Sequence, residues 1–189
     1  PAGLAGSDLV GIAQTGTGKT GAFMLPSLER IETGKGLQVL VLCPTRELAQ
    51  QVCDDSEALA KGTRVRAASI YGGVAYDPQL KALKEGFEVI TAAPGRFLDH
   101  LGRGRVDLKN VHTFVLDEAD RMLDMGFRPQ IEGVLRELPR KRQTMLFSAT
   151  MPHGVHDLAS RITQDAVWVE AAPSGTKAEG ITELVYSVK

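Results

Sequence analysis

The chain has 189 residues, of which 43% are hydrophobic and 24% are charged, and its formal net charge at pH 7 is −1. This length is sufficient for one α/β domain with a full core, and the near-neutral charge neither favours nor excludes a nucleic-acid partner. No apolar stretch approaches the length of a membrane span, and Cys43 and Cys53 lack a Cys-x-x-Cys spacing, so the sequence predicts a cytoplasmic protein with reduced thiols.

Short apolar runs alternate with segments of helical periodicity along almost the whole chain. The runs predict strands at 9–13, 38–43, 65–71, 88–92, 113–117, 144–148 and 166–170. The segments between them predict helices at 19–33, 45–61, 77–85, 94–103, 128–138 and 153–161. This alternation predicts the α/β class, with a doubly wound, mostly parallel sheet and helices on both faces. In such a sheet, ligands bind beyond the carboxyl ends of the strands.

The chain is predicted to divide into three parts. Residues 1–170 form the α/β domain, in which Trp168 is expected to pack in the core. At 171–180 the composition shifts to Ala, Pro, Ser, Gly, Thr and Lys, which predicts a linker. An apolar run follows, and residues 181–189 are therefore predicted to begin a second domain. Because the first residue is Pro1, we expect the chain to be an excised part of a longer protein.

The stretch AQTGTGKT lies between the first predicted strand and the first predicted helix, the setting that a phosphate-binding loop requires. Gly16 and Gly18 allow a tight turn in which successive backbone N–H groups point into one concavity. The start of the helix adds its partial positive charge. Lys19 is predicted to reach the outer phosphates of a nucleoside triphosphate, and the Thr20 hydroxyl to ligate Mg²⁺. The alternative is a glycine-rich turn without a ligand.

A second motif, Asp117 and Glu118, follows the apolar strand predicted at 113–117. Acidic residues at the end of a buried strand are costly unless they face a cation or a polar cleft. Asp117 is placed to hold Mg²⁺ through water, and Glu118 to orient and deprotonate the attacking water. A helix N-terminus would also favour acidic residues, but that alternative does not explain their position after a strand in a chain with a phosphate loop.

Taken together, the motifs resemble those of the DEAD-box family of ATP-dependent RNA helicases, in particular its N-terminal RecA-like domain. Five motifs stand in the family's order: AQTGTGKT, PTRELAQQ, a Gly-Gly pair, DEAD and SAT. The phosphate loop alone is shared by many ATPases, whereas the combination is specific. The resemblance implies a RecA-like P-loop NTPase that uses ATP and Mg²⁺ in RNA-dependent hydrolysis, and that unwinds or remodels short RNA duplexes.

The resemblance also assigns roles to individual residues. The residues implied to surround the ATP phosphates and Mg²⁺ are Ala13, Thr15, Gly16, Thr17, Gly18, Lys19 and Thr20, of which Ala13 replaces the usual first glycine. Alanine is tolerated there if its φ is negative. Ser148 and Thr150 are implied to contact Asp120 and to couple hydrolysis to unwinding. From the residues alone, the same stretch would be an ordinary strand end followed by a helix cap.

Three further loops are implied to contact the RNA backbone, through Pro44, Thr45, Arg46, Gly72, Gly73, Pro94, Gly95 and Arg96. Arg46 is suited to grip a phosphate with two hydrogen bonds, and the glycine pair lets the RNA backbone approach closely. In the third loop Ala93 replaces the family's usual Thr, so we expect a modest loss of RNA affinity. Backbone contacts carry no base information, and binding should be independent of RNA sequence.

Two parts of the family's machinery are expected outside this chain. The adenine-recognition segment would precede Pro1, and the second RecA-like domain, which carries an arginine finger, would follow. The chain alone is therefore expected to be a weakly active monomer. Two rival functions stay open. A non-catalytic scaffold is disfavoured by the intact phosphate and acidic motifs, and a P-loop kinase by the absence of an evident arginine-rich lid.

Overall fold

The computed structural model describes residues 2–14 and 16–171. Pro1, Thr15, nearly all of the predicted linker and the predicted start of a second domain lie outside the described residues. The division of the chain into domains therefore stays a prediction. No helix in the described ranges is at once long enough and apolar enough to span a membrane.

Seven strands in the described part of the chain form one sheet, and every paired neighbour is parallel. In chain order they are β1 (Leu9–Ile12), β2 (Val39–Leu42), β3 (Ala67–Ile70), β4 (Val89–Ala92), β5 (Thr113–Leu116), β6 (Gln143–Ser148) and β7 (Val167–Glu170). Their order across the sheet is β3-β4-β2-β5-β6-β1-β7. The strand before the phosphate loop, β1, is thus separated by β6 from β5, which ends at the acidic motif.

Helices connect the strands and cover both faces of the sheet. They are α1 (Lys19–Leu28), α2 (Arg46–Leu59), α3 (Tyr76–Glu85), α4 (Pro94–Gly102), α5 (Ala119–Asp124), α6 (Arg128–Glu137) and α7 (His153–Ile162). The six-residue α5 was not predicted, because it spans fewer than two helical turns and shows no measurable periodicity.

The sheet separates two hydrophobic cores. In β2, Leu40 and Leu42 belong to the core that includes residues of α4, α5, α6 and α7. Val39 and Val41 belong to the core that includes residues of α1 and α2. Successive side chains of a strand point to opposite faces, so strands buried on both sides appear in the sequence as continuous apolar runs. The predicted doubly wound parallel sheet with helices on both faces is confirmed.

The first helix is shorter than predicted. The sequence predicted a helix over 19–33, whereas α1 ends at Leu28. Pro26 lies inside α1 and cannot donate a backbone hydrogen bond. The next hydroxyl, that of Ser27, donates to the carbonyl of Phe23 at 2.6 Å, a local bond of the kind that weakens helices. These two features account for the early end of the helix.

The prediction that Trp168 packs in the core is wrong. Trp168 is 46% exposed, and all four residues of β7 are exposed. Among the described strands, β7 pairs with β1 alone, so it lies at an edge of the described sheet, where side chains have fewer neighbours. The indole ring instead packs against the ring of His156 in α7, with 5.4 Å between the ring centroids.

Candidate functional site

The loops that follow the strands meet at one edge of the sheet. Parallel pairing aligns the carboxyl ends, because Ile12 of β1 pairs with Ser148 of β6, and Leu42 of β2 pairs with Leu116 of β5. The alignment continues past the strands, since the backbone N–H of Asp117 donates to the carbonyl of Leu42 at 3.0 Å. This is the edge at which parallel α/β sheets bind ligands.

The loop after β1 has the tight turns that its glycines predict. Gly16 and Gly18 have φ values of 84° and 83°, in the left-handed region where other side chains are strained. The Thr17 hydroxyl donates to the carbonyl of Gln14 at 2.7 Å, so this hydroxyl shapes the loop. Ala13 is not among the described non-glycine residues with positive φ, which explains why alanine is tolerated in place of glycine.

A cleft of about 380 Å³ opens between this loop, the acidic motif and α2. It contains several of the predicted site residues, namely Gly16, Gly18, Lys19, Thr20, Asp117 and Glu118. The wall contributed by α2 was not predicted, and its residues are Leu48, Gln51, Asp55, Ala58 and Leu59. Their mixed chemistry on one helix face gives no sequence signal for a ligand site.

Lys19 and Asp117 are buried charges within this cleft, with 8% and 3% of their surface exposed. The Nζ atom of Lys19 lies 3.6 Å from Oδ1 of Asp117, beyond hydrogen-bond distance. Among the described residues, this ammonium group has no hydrogen-bond acceptor. Buried polar groups normally have hydrogen-bond partners, so the Lys19 ammonium group fits an anionic ligand such as a phosphate.

Thr20 and Asp117 offer the oxygen donors that Mg²⁺ prefers. Burial raises the pKa of Asp117 above its ordinary value; the charge of Lys19 opposes this effect, and the charge of Glu118 adds to it. A bound cation would counteract the cost of burial by favouring the ionised carboxylate. The donor chemistry and the burial of the carboxylate therefore both fit Mg²⁺.

Glu118 has an unusual backbone conformation at the junction of β5 and α5. Its φ and ψ are 54° and 53°, in the left-handed region that residues with a Cβ rarely occupy. Strained backbone of this kind is concentrated at functional sites. Nη1 of Arg121 lies 3.3 Å from Oε2 of Glu118. The conformation turns the chain from a buried strand into a helix within one residue and leaves the Glu118 side chain at the cleft.

Asp120 joins the acidic motif to the loop after β6. Its Oδ2 atom accepts hydrogen bonds from the backbone N–H and the hydroxyl of Thr150, at 2.9 and 2.8 Å. Its backbone N–H donates to the hydroxyl of Ser148 at 3.1 Å. Burial alone would raise the pKa of Asp120, but the hydrogen bonds from Thr150, Arg121 and Ser148 outweigh it and lower the pKa. The structure thus brings together the three residues that the resemblance associates with coupling.

The loop after β2 is shaped by side chains that the sequence associated with RNA. Pro44 is buried, so its side chain is withdrawn from the surface. The Thr45 hydroxyl accepts a hydrogen bond from the backbone N–H of Leu48 at 3.2 Å and caps α2. Arg46 is exposed and pairs with the neighbouring Glu47. Of these side chains, the Arg46 guanidinium is the one available to a phosphate.

The glycine-pair loop and the start of α4 are in contact. The Arg96 side chain donates to the carbonyl of Val74 at 3.1 Å, and Val74 directly follows the exposed glycine pair. Gly95 is exposed, whereas Pro94 is buried as the first residue of α4. Ala93 stands at the N-cap of α4 and provides no side-chain hydrogen bond, as its sequence implies. These two loops and the Arg46 loop lie at the carboxyl edge of the sheet.

Comparison with known protein families gives a match over most of the chain. The family model described as DEAD/DEAH box helicase matches residues 1–158. This range contains the phosphate loop, the acidic motif and the SAT stretch. The chain is also 42% identical to a DEAD box protein of the hyperthermophile Methanococcus jannaschii of known structure, with a TM-score of 0.87. The match covers 91% of this chain and 47% of that one.

Bacterial proteins named as RNA helicases are similar to the chain along its whole length. It is 46% identical over 189 residues to the ATP-dependent RNA helicase DeaD of Haemophilus influenzae, a match that covers 98% of this chain and 30% of the relative. It is 49% identical over 190 residues to the DEAD-box ATP-dependent RNA helicase CshA of Bacillus cereus, covering 100% of this chain and 36% of the relative. The chain thus spans about a third of the length of these relatives.

Proposed function

The chain belongs to the DEAD/DEAH box helicase family, and we propose that it is the ATP-binding part of an RNA-dependent ATPase that unwinds or remodels short RNA duplexes. One observation carries this proposal. The cleft of about 380 Å³ contains a buried ammonium group, that of Lys19, without a hydrogen-bond acceptor among the described residues, 3.6 Å from the buried carboxylate of Asp117. A triphosphate with its Mg²⁺ would give the ammonium group a hydrogen-bond acceptor and the carboxylate a second cation.

The phosphate loop provides the binding surface for the triphosphate. Backbone N–H groups around Gly16 and Gly18 would donate to the phosphates, and the N-terminus of α1 would add positive charge. Lys19 neutralises the outer phosphates as a compact charge. Thr20 and Asp117 are the residues that would hold Mg²⁺, Asp117 through water. When bound, Mg²⁺ neutralises negative charge on the phosphates.

Glu118 is proposed to orient and deprotonate the water that attacks the terminal phosphate. Proximity to the cleft supports this role, because its side chain lines the same space as Lys19 and Asp117. Its strained backbone supports it further, since such strain persists where the surrounding structure holds a residue for function. General-base catalysis of this kind typically contributes about 10²–10⁴-fold to a rate.

The contact of Asp120 with Ser148 and Thr150 is proposed to couple hydrolysis to RNA. These hydrogen bonds connect the acidic motif after β5 to the loop after the adjacent strand β6. A shift of the acidic motif on hydrolysis would therefore move the loop at Thr150 as well.

RNA is proposed to bind along the same edge of the sheet, independently of its sequence. Arg46 and Arg96 would contact phosphates, and the exposed Gly72, Gly73 and Gly95 would let the RNA backbone approach. We further propose that full activity requires a second RecA-like domain, because the chain covers 30–36% of its relatives, and that the protein acts as a cytoplasmic monomer.

The test is ATP hydrolysis by the complete protein, with and without single-stranded RNA, beside Glu118→Gln. We expect RNA to stimulate turnover and the variant to lose at least about 100-fold of the stimulated rate. Glu137→Gln is a matched control, because Glu137 is an exposed residue at the end of α6. Turnover that is indifferent to RNA would contradict the RNA-dependent function, and a Glu118→Gln variant with unchanged turnover would contradict the assignment of the base.

A further inference from the structure

Three arginines surround one aromatic ring on the flank of the sheet, where α3 begins beside α4. The guanidinium carbon of Arg96 lies 4.1 Å from the centroid of the Tyr76 ring, and those of Arg103 and Arg105 lie 5.7 and 5.8 Å from it. At these distances a cation is attracted by the ring. We refer to Tyr76 and the three arginines as the Tyr76 cluster.

The Tyr76 cluster is continuous with the proposed RNA-binding edge. Arg96 belongs to both, and its side chain also holds the carbonyl of Val74 in the glycine-pair loop. Arg103 and Arg105 follow at the far end of α4, outside every motif of the sequence. Positive charge therefore continues from the edge of the sheet along the side of α4.

The positive charges in the cluster exceed the negative ones. Asp99 is the carboxylate that contacts the cluster among the described residues. It accepts hydrogen bonds from the Tyr76 hydroxyl at 2.6 Å and from Nε of Arg103 at 2.8 Å. The cluster thus contains three guanidinium groups and one contacting carboxylate. The guanidinium carbons of Arg96 and Arg105 are at most 9.9 Å apart, since both distances of 4.1 and 5.8 Å end at one ring centroid. Like charges this close repel each other at moderate salt, where the screening length is about 10 Å.

The excess positive charge also acts on a buried side chain. His100 is fully buried in α4, and its ring lies edge-on to Tyr76 at 5.3 Å. Burial is the main cause of the lowered pKa of His100, and the charges of Arg105 and Arg96 lower it further. These effects favour the neutral imidazole, whereas the charge of Asp99 opposes them.

The ring restricts the arginines while leaving them accessible. The Arg103 side chain is 55% exposed although its Nε is bonded to Asp99. Arginine normally loses much side-chain freedom when it binds a ligand. Attraction to the Tyr76 ring reduces that loss in advance, because the guanidinium carbons already lie within 6 Å of the ring centroid. Such pre-oriented guanidinium groups suit phosphate oxygens, which they bind with paired hydrogen bonds.

We propose that Arg103 and Arg105, held against Tyr76 beside Arg96, bind the phosphate backbone of RNA that extends beyond the three loops at the sheet edge. This inference rests on the proposed RNA-dependent function. An acidic protein segment is the other polyanion that such a cluster could bind. The continuity of the cluster with two of the RNA loops, through Arg96 and Val74, favours RNA.

The test is the salt dependence of RNA binding by the complete protein. A fluorescent poly(U) strand of about 20 nucleotides, longer than the roughly 4–16 nucleotides that single-strand-binding folds cover, is titrated at salt concentrations from about 0.1 to 1 M. Each phosphate contact to a single strand contributes about 0.7 to the slope of log affinity against log salt. For the double variant Arg103→Ala/Arg105→Ala we expect a slope smaller by about 1.4, and affinity about 25-fold weaker at 0.1 M salt and nearly unchanged at 1 M.

Two control variants test whether the slope depends on the charge at these two positions or on the total charge of the protein. Arg103→Lys/Arg105→Lys keeps both charges and should retain the slope. Arg140→Ala/Lys141→Ala removes two exposed charges before β6, at the opposite edge of the sheet, and should leave the slope within about 0.3 of that of the unmodified protein. Thermal melting of each variant checks that it is folded.

The possible outcomes distinguish this inference from the function on which it rests. If the unmodified protein does not bind RNA, the proposed function fails and this inference fails with it. If the protein binds RNA and the folded alanine pair leaves the slope unchanged, the inference alone is overturned. An unchanged RNA slope together with lost binding of poly-glutamate would assign the cluster to an acidic protein segment, which also overturns it.

Discussion

The substitution Asp120→Asn isolates the contact between the acidic motif and the loop after β6. Oδ2 of Asp120 accepts two hydrogen bonds from Thr150, and Oδ1 accepts one from the backbone N–H of Arg121 at 3.0 Å. Asparagine has almost the same shape as aspartate, but an NH₂ group replaces one of the two carboxylate oxygens. Whichever way that amide turns, an N–H group of the side chain faces an N–H or O–H donor of the protein.

The expected cost in the free energy of unfolding is about 2 kcal/mol. Hydrogen bonds to a charged group contribute about 1.5–3 kcal/mol each. Asp120 is only half-buried, so solvent screens part of its charge, and asparagine keeps one acceptor. Thr150→Val is the matched comparison, because it removes the hydroxyl and keeps the backbone N–H; we expect it to cost about 1 kcal/mol. The two substitutions should be less than additive in the double variant, since they remove a shared bond.

The effect should depend on pH in a defined direction. The hydrogen bonds to Asp120 outweigh burial and lower its pKa in the folded protein, whereas an unfolded chain has a value of about 3.9. A group whose pKa is lowered by folding stabilises the protein fully above the unfolded value, and this contribution is lost as the pH falls through the folded value. The difference between the Asp120→Asn variant and the unmodified protein should therefore shrink below about pH 4.

Urea unfolding followed by circular dichroism measures this difference. At neutral pH the midpoint should fall while the slope of free energy against urea stays the same, because the folded surface is unchanged. A difference of less than about 0.5 kcal/mol at pH 7, the size expected for an ordinary surface change, would refute the reasoning. A difference that is the same at pH 7 and at about pH 3 would refute the electrostatic part of it.

Two further substitutions test local backbone features. Glu118→Gly should raise the free energy of unfolding by about 1 kcal/mol relative to Glu118→Gln, because glycine removes the backbone strain at φ 54° that glutamine keeps. Both variants should lose RNA-stimulated turnover. Equal urea midpoints of the two variants would contradict the assignment of strain to this residue. Ala93→Thr should stabilise the protein by about 1 kcal/mol, because Ala93 makes no side-chain cap hydrogen bond and a threonine hydroxyl can accept one from a backbone N–H of the first turn. The same variant should bind RNA modestly more tightly, and titration with single-stranded RNA would show whether it does.

The fold could be predicted closely because its strands are buried on both faces. Such strands stand out as apolar runs between turn residues, and the strand β4 was predicted at 88–92 and observed at Val89–Ala92. The sequence does not distinguish a central strand from an edge strand of similar composition. That is why Trp168 in β7 was assigned to the core, although it is 46% exposed.

The candidate site was predictable where its residues follow one another in the chain. Lys19, Thr20, Asp117 and Glu118 belong to short motifs with fixed spacing, and the parallel sheet brings both motifs to one cleft. The Tyr76 cluster was not predictable, because its members come from α3, from both ends of α4 and from the loop after it. Their common feature is contact with one ring, which the spacing of residues along a chain does not encode.

The order of strands in the sheet has a consequence for synthesis on the ribosome. Four strands, from β2 to β5, can pair with one another as they emerge, but Leu9 of β1 pairs with Met145 of β6, 136 positions later. Asp8 likewise bonds to the backbone N–H groups of Thr144 and Gln164. At about 5–20 residues per second, β1 waits about 7–27 s for its neighbour. The phosphate loop that β1 positions is therefore made well before the strand that holds it in place, so nucleotide binding would report that β6 has joined the sheet.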